Sequence, residues 1–109
     1  MEYLEKWKVN IMNNKYVNLI LPDNPIVFRI ETEEGEQFVS LSKSFISYSS
    51  GYEGLLNGSL VCKSETIESL LSGHIKLRDA IQTNLIRAEF KFRDLLLIES
   101  IFWLSKIGS

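Results

Sequence analysis

The sequence predicts an α/β fold of the α+β kind, with helices packed on one face of a five-stranded, mostly antiparallel sheet. Three observations predict it. Residues 26–31 and 85–93 alternate apolar and polar side chains at the two-residue period of a half-buried strand. Residues 2–12 and 64–71 instead repeat their apolar side chains at helical spacing. Four strand-like segments then follow one another closely between residues 26 and 63, so an antiparallel meander is the simplest way to join them.

Each element has its own signal. Tyr3, Leu4, Trp7 and Ile11 share one side of the first helix, with Glu2, Glu5, Lys6 and Lys8 largely opposite. After Asn13-Asn14 an apolar patch, Tyr16 to Leu21, either continues that helix or packs as a separate short turn. Pro22-Asp23-Asn24-Pro25 ends it, because proline biases its predecessor away from the helical region. Ile26, Phe28 and Ile30 share a strand face, and Glu33-Glu34-Gly35-Glu36 turns the chain into a second strand, 37–41. Residues 45–48 and 59–63 read as strands three and four, separated by Gly51, Gly54 and Asn57-Gly58. Ser64 offers an N-cap to a helix burying Ile67, Leu70 and Leu71, and Gly73 stops it. Leu77 to Gln82 fits a second short helix. Along 85–93, Ile86, Ala88, Phe90 and Phe92 face inward, whereas Arg87, Glu89, Lys91 and Arg93 face solvent. Asp94 can cap a last helix running to about Ile107.

Composition narrows the function classes. The 109 residues suit one domain, 1–109, and a 45% apolar content excludes intrinsic disorder. Net charge is −2 and the basic residues are scattered, so the stripe that phosphate contacts demand of a nucleic-acid binder is missing. Cys62 stands alone, which rules out an intrachain disulfide and a cysteine-built zinc site. The start of the chain has no apolar signal core, and Leu95–Leu104 is only half the ~20 residues that a membrane span needs. The expectation is a cytoplasmic protein, in which Asn57-Gly58-Ser59 is a turn and not a glycosylation acceptor.

The last helix carries an apolar surplus. With Leu95 at 0° and ~100° per residue, Glu99 and Lys106 fall within about 40° of it. Leu96, Leu97, Ile98, Ile101, Phe102, Trp103, Leu104 and Ile107 spread around most of the remaining circumference. A helix apolar all round is buried on more than one side. Its cover is an internal ligand, a second subunit, a membrane surface, or the N-terminal helix with the Tyr16–Leu21 patch.

From Asn57 onward the sequence resembles the sterol carrier protein type-2 family. The stretch Gly58-Ser59-Leu60-Val61-Cys62-Lys63-Ser64-Glu65-Thr66-Ile67-Glu68-Ser69-Leu70-Leu71-Ser72-Gly73 has that family's short strand, polar helix cap, Leu-Leu pair and closing glycine. The short helix, strand and leucine-rich closing helix follow in the same order, and Phe28-Arg29-Ile30-Glu31 with its glycine turn fits upstream. The sequence departs from the pattern at Thr83-Asn84 and Phe92-Arg93, where relatives carry glycines. The resemblance implies a sterol-carrier-like sheet with helices over one face. Between the layers it implies a tunnel for sterols, fatty acids or acyl-CoA, without catalysis or cofactor.

Residue chemistry agrees with a non-enzyme. His74 is the only histidine and has no neighbouring metal ligands in sequence. No elbow motif or base accompanies a serine, and no basic partner is visible to activate Cys62. Glu33, Glu34 and Glu36 read as a solvated turn, with weak cation binding as the alternative. The expected ligand set is Phe28, Ile30, Phe90 and Phe92 as floor and Leu70, Leu97, Ile101 and Phe102 as roof. Burying ten carbons of an acyl chain yields about 8 kcal/mol. An empty ~300 Å³ pocket costs about 7 kcal/mol, as much as a whole domain's stability. The tunnel is therefore expected to hold lipid or to be collapsed around bulky side chains. The alternative to an apolar ligand is a homodimer formed through the closing helix.

Overall fold

The computed structural model describes residues 2–106. Leu4, Trp7 and Ile11 form one stripe of helix α1 (Glu2–Met12), and all three are buried. Asn14 then restarts the chain: its side chain accepts hydrogen bonds from the amides of Tyr16 and Val17 and so caps a separate helix α2 (Lys15–Ile20). Strands β1 (Ile26–Thr32), β2 (Gly35–Leu41), β3 (Ile46–Ser49) and β4 (Gly58–Cys62) follow, then helices α3 (Ser64–Leu71) and α4 (Leu77–Gln82). Strand β5 (Ile86–Phe90) and helix α5 (Phe92–Leu104) complete the fold.

The five strands form one mixed sheet in the order β3-β2-β1-β4-β5. Three of its pairings are antiparallel, but β4 lies parallel to β1. The expected four-strand meander is therefore corrected to a three-strand meander plus a crossover. The reason is the eight-residue link 50–57, which reaches about 27 Å. Passing from β3 to the far side of β1 needs about 14 Å sideways, leaving enough to return along the strands. Strand β1 thereby becomes central, which explains why Val27 is buried as well as Ile26, Phe28 and Ile30.

Register places Phe90, Gly58, Phe28, Val39 and Tyr48 in one row across the sheet. Ala88, Leu60, Ile30 and Gln37 form the next row on the same face. On the opposite face Arg29, Glu31, Ser40, Ser59, Arg87 and Glu89 are not buried, whereas Val27 is, beside Asn57 of the 50–57 link. Helices therefore cover one face only, as the sequence predicts.

The chain supplies much of the cover for its last helix. The Trp7 ring packs against Phe102 with centroids 5.2 Å apart. Trp7 Nε1 donates to Ser105 Oγ at 2.8 Å, and that hydroxyl donates to the Ile101 carbonyl. Asn10 Nδ2 donates to the carbonyls of Ser105 and Lys106, and Asn14 Nδ2 to that of Leu104, so α1 and its following turn close the carbonyl end of α5. Ile98, Ile101 and Phe102 are buried, whereas Trp103 and Leu104 remain about 40% exposed. Cover is thus partial. The expected extension of the helix to Ile107 lies outside the described residues.

Candidate functional site

The expected ligand residues divide into three groups. Phe28, Ile30, Leu70, Ile101 and Phe102 are fully buried in one core cluster, where floor and roof meet. Phe90 and Leu97 are half-buried at its margin. Phe92 is 65% exposed and opens α5 instead of ending β5, which corrects both its strand assignment and its place in the floor. The two-residue alternation runs on past the strand by coincidence of composition, whereas Lys91, with ψ 145°, already occupies the helix N-cap. Asp94 accordingly sits inside the first turn and is not the cap.

A bulky pair closes the interior near β5. The Phe28 and Phe90 rings meet edge to face, with centroids 5.8 Å apart. Gly58 lies between them in the row, and a Cβ there would overlap the Phe90 ring and the Glu89 carbonyl. Glycine at 58 therefore lets Phe90 lean across β4 toward Phe28. Around this pair the layers meet through fully buried side chains, Ile30, Leu60, Ile67, Leu70 and Ile101 among them.

Two clefts open beside this closed region and meet at Asn57. The larger, about 520 Å³, lies between the Pro22–Ile26 segment and the first turns of α5, lined by Pro22, Pro25, Ile26, Leu97, Arg93 and Asp94 among others. The smaller, about 390 Å³, runs along Arg29, Leu56, Gly58, Phe90 and Lys91. Asn57 is pinned to β1 from both ends: its amide donates to the Val27 carbonyl at 2.6 Å, and its Oδ1 accepts from the Val27 amide at 2.8 Å. The larger cleft reaches the core at two points, Ile26 and Leu97. Ile26 precedes Phe28 on the same strand face, and Leu97 precedes Ile101 by one helical turn. The cleft thus sits at the seam between sheet and helices. Asn57 and Arg93 were missed by sequence reasoning, since one reads as a turn and the other as an outward strand residue.

Nucleophilic and metal chemistry find little here. Burial, with a smaller contribution from Glu33, pushes the Cys62 thiol up to about 11, so it stays protonated at neutral pH. Glu33 is not a free turn carboxylate: its two oxygens accept from the Ser64 amide at 2.9 Å and the Ser64 hydroxyl at 2.6 Å. That corrects Ser64 from N-cap of α3 to its first residue, with the cap supplied by Glu33. Among the described residues no three His, Cys, Asp or Glu side chains converge to hold a metal ion. Among them, too, no helix is long and apolar enough to cross a membrane.

A mixed five-stranded sheet with helices packed on one face and a cleft at the seam makes this an α+β fold. Within that class the chain has the fold of sterol carrier protein 2. It is similar to the UbiJ-SCP2 ubiquinone synthesis protein at 10% identity and TM-score 0.73, over 91% of this chain and 88% of that one. It is similar to the sterol carrier protein domain 2 of Helicoverpa armigera at 11% identity and TM-score 0.72, over 99% and 90%. It is similar to the palmitated sterol carrier protein 2-like 2 of Aedes aegypti at 12% identity and TM-score 0.58, over 92% and 90%. No family model matches the chain, and no curated protein does.

Proposed function

We propose that the protein binds a single apolar chain, such as that of a fatty acid, in the seam between sheet and helices, and carries it without chemical change. The observation that carries this reading is the cleft whose polar rim descends to the core residue Ile26 and to Leu97 at the core's margin. The fold supports it, since one protein of the same fold is palmitated. In this reading the chain enters past Leu97 and displaces Phe90 from Phe28. The residues that touch it are Leu97, Phe90, Phe28, Ile30, Ile101, Phe102 and Leu70.

Native mass spectrometry of the purified chain mixed with hexadecanoate tests the proposal. A saturable one-to-one adduct accompanied by a higher melting temperature is the expected result. If neither appears, the carrier reading fails; a dimer indifferent to lipid would point instead to self-association through α5.

A further inference from the structure

We infer that the outer edge of β5 pairs with the same edge of a second copy of this chain, in one antiparallel register centred on Ala88. The sheet order leaves β5 at an end, paired with β4 alone. Among the described residues no other segment bonds to the amides and carbonyls along its outer edge. Folded proteins ordinarily blunt such an edge with a proline, a bulge or an inward-facing charge. Strand β5 has none of these: its pairing with β4 is unbroken from Ile86 to Phe90, and its inward positions are Ile86, Ala88 and Phe90. Its only charges are Arg87 and Glu89, both exposed and neither in an ion pair among the described residues. They stand on either side of Ala88. In an antiparallel pair related by a two-fold axis, the residue on the axis faces itself and its two neighbours face each other. An axis at Ala88 therefore sets Arg87 opposite Glu89 of the second copy, twice, and Ile86 opposite its Phe90 on the inner face. An axis at Arg87 would oppose two arginines. An axis at Glu89 would oppose two glutamates and set Arg87 against Lys91. Opposite charges directly across a ladder stabilise it, whereas like charges oppose it. Axes nearer the ends leave most of the strand unpaired, so one register survives. It also brings Leu85, half exposed in each copy, to the end where the other copy starts α5 with its exposed Phe92. A foreign strand would need no such palindrome, and β3 at the opposite edge, which carries no charged residue, has none.

Sedimentation velocity from micromolar to millimolar chain concentration tests the pairing, on wild type, Arg87→Glu, Glu89→Arg and the double exchange Arg87→Glu/Glu89→Arg. An interface of one strand pair is small, so the wild type is expected to form a reversible dimer that dissociates in the micromolar range. Each single exchange sets like charges opposite each other twice and should weaken the dimer at least about tenfold. The double exchange restores both opposite-charge pairs and should recover wild-type association. An equimolar mixture of the two single variants should dimerise as one of each at concentrations where neither associates alone. Both side chains are exposed, so every variant should keep the wild-type circular dichroism spectrum. A wild type that stays monomeric, or single variants that associate as the wild type does, would overturn the inference. A double exchange or a mixture that fails to restore the dimer would overturn it too. The carrier reading stands or falls separately, on lipid uptake.

Discussion

At the scale of single residues, the polar atoms inside the apolar layer have defined partners. Ser105 is buried and lies between the Trp7 indole and the Ile101 carbonyl. Trp7→Phe keeps most of the apolar contact with Phe102 but leaves the Ser105 oxygen without its donor. A cost of about 1 kcal/mol follows, read as a fall in melting temperature of roughly 4–8 °C. An unchanged midpoint would mean that the indole contributes only by packing. Some of this was legible in the sequence, because Trp7 falls on the buried stripe of α1. The pairing itself was not, since it joins residues 98 positions apart. Asn84 was equally hidden as chemistry. With φ at 61° it adopts the left-handed conformation that favours glycine, and asparagine is among the few side chains that tolerate it.

At the scale of elements, α3 and α4 start without caps of their own. Lys63 and Lys76 occupy the two N-cap positions and neither makes a side-chain cap bond. Each helix borrows a glutamate instead. Glu33 reaches from the β1–β2 turn to Ser64, and Glu99 reaches from α5 to the Arg78 amide and guanidinium. Local capping rules read only neighbours in sequence, so Ser64 looked like the cap and Glu33 like a solvated acid. Helix existence was still readable, because the stripe of Ile67, Leu70 and Leu71 does not depend on the cap. The borrowed cap has a pH signature. Hydrogen bonds from Ser64 hold the Glu33 carboxyl below its ordinary value of 4.5, so the charged form is favoured by folding. The stability it adds is fully present above that ordinary value and disappears as pH falls through the lower folded one. Glu33→Gln should therefore melt earlier than wild type at pH 7, and the gap should shrink as the pH drops below about 4.5. A gap independent of pH across that window would show that the carboxylate's charge is not what α3 uses.

At the scale of the whole molecule, the five strands, the helix layer and the single covered face were all in the sequence. Two-residue alternation and helical spacing are local properties. The crossover that sets β4 beside β1 was not, because partner choice depends on what the 50–57 link can span. The expected site was legible as a set of apolar residues, and collapse around bulky side chains as one of its two outcomes, but not which rings would close it. That closure sets the energetics of any ligand. An acyl chain gains about 0.8 kcal/mol per buried methylene. Each methylene also needs about 30 Å³, the share of one water molecule, and opening that volume in a packed core costs about 0.7 kcal/mol. The two nearly cancel. A preformed tunnel would tighten binding about fourfold for each added methylene, whereas this interior should give a far shallower series, less than tenfold in total from dodecanoate to hexadecanoate. Phe90→Ala discriminates further, because its ring fills the seam against Phe28. Removing the ring should lower the melting temperature and, by opening space in advance, tighten hexadecanoate binding. Weaker binding in the destabilised variant would mean that Phe90 does not gate the seam, and that any apolar ligand is held elsewhere.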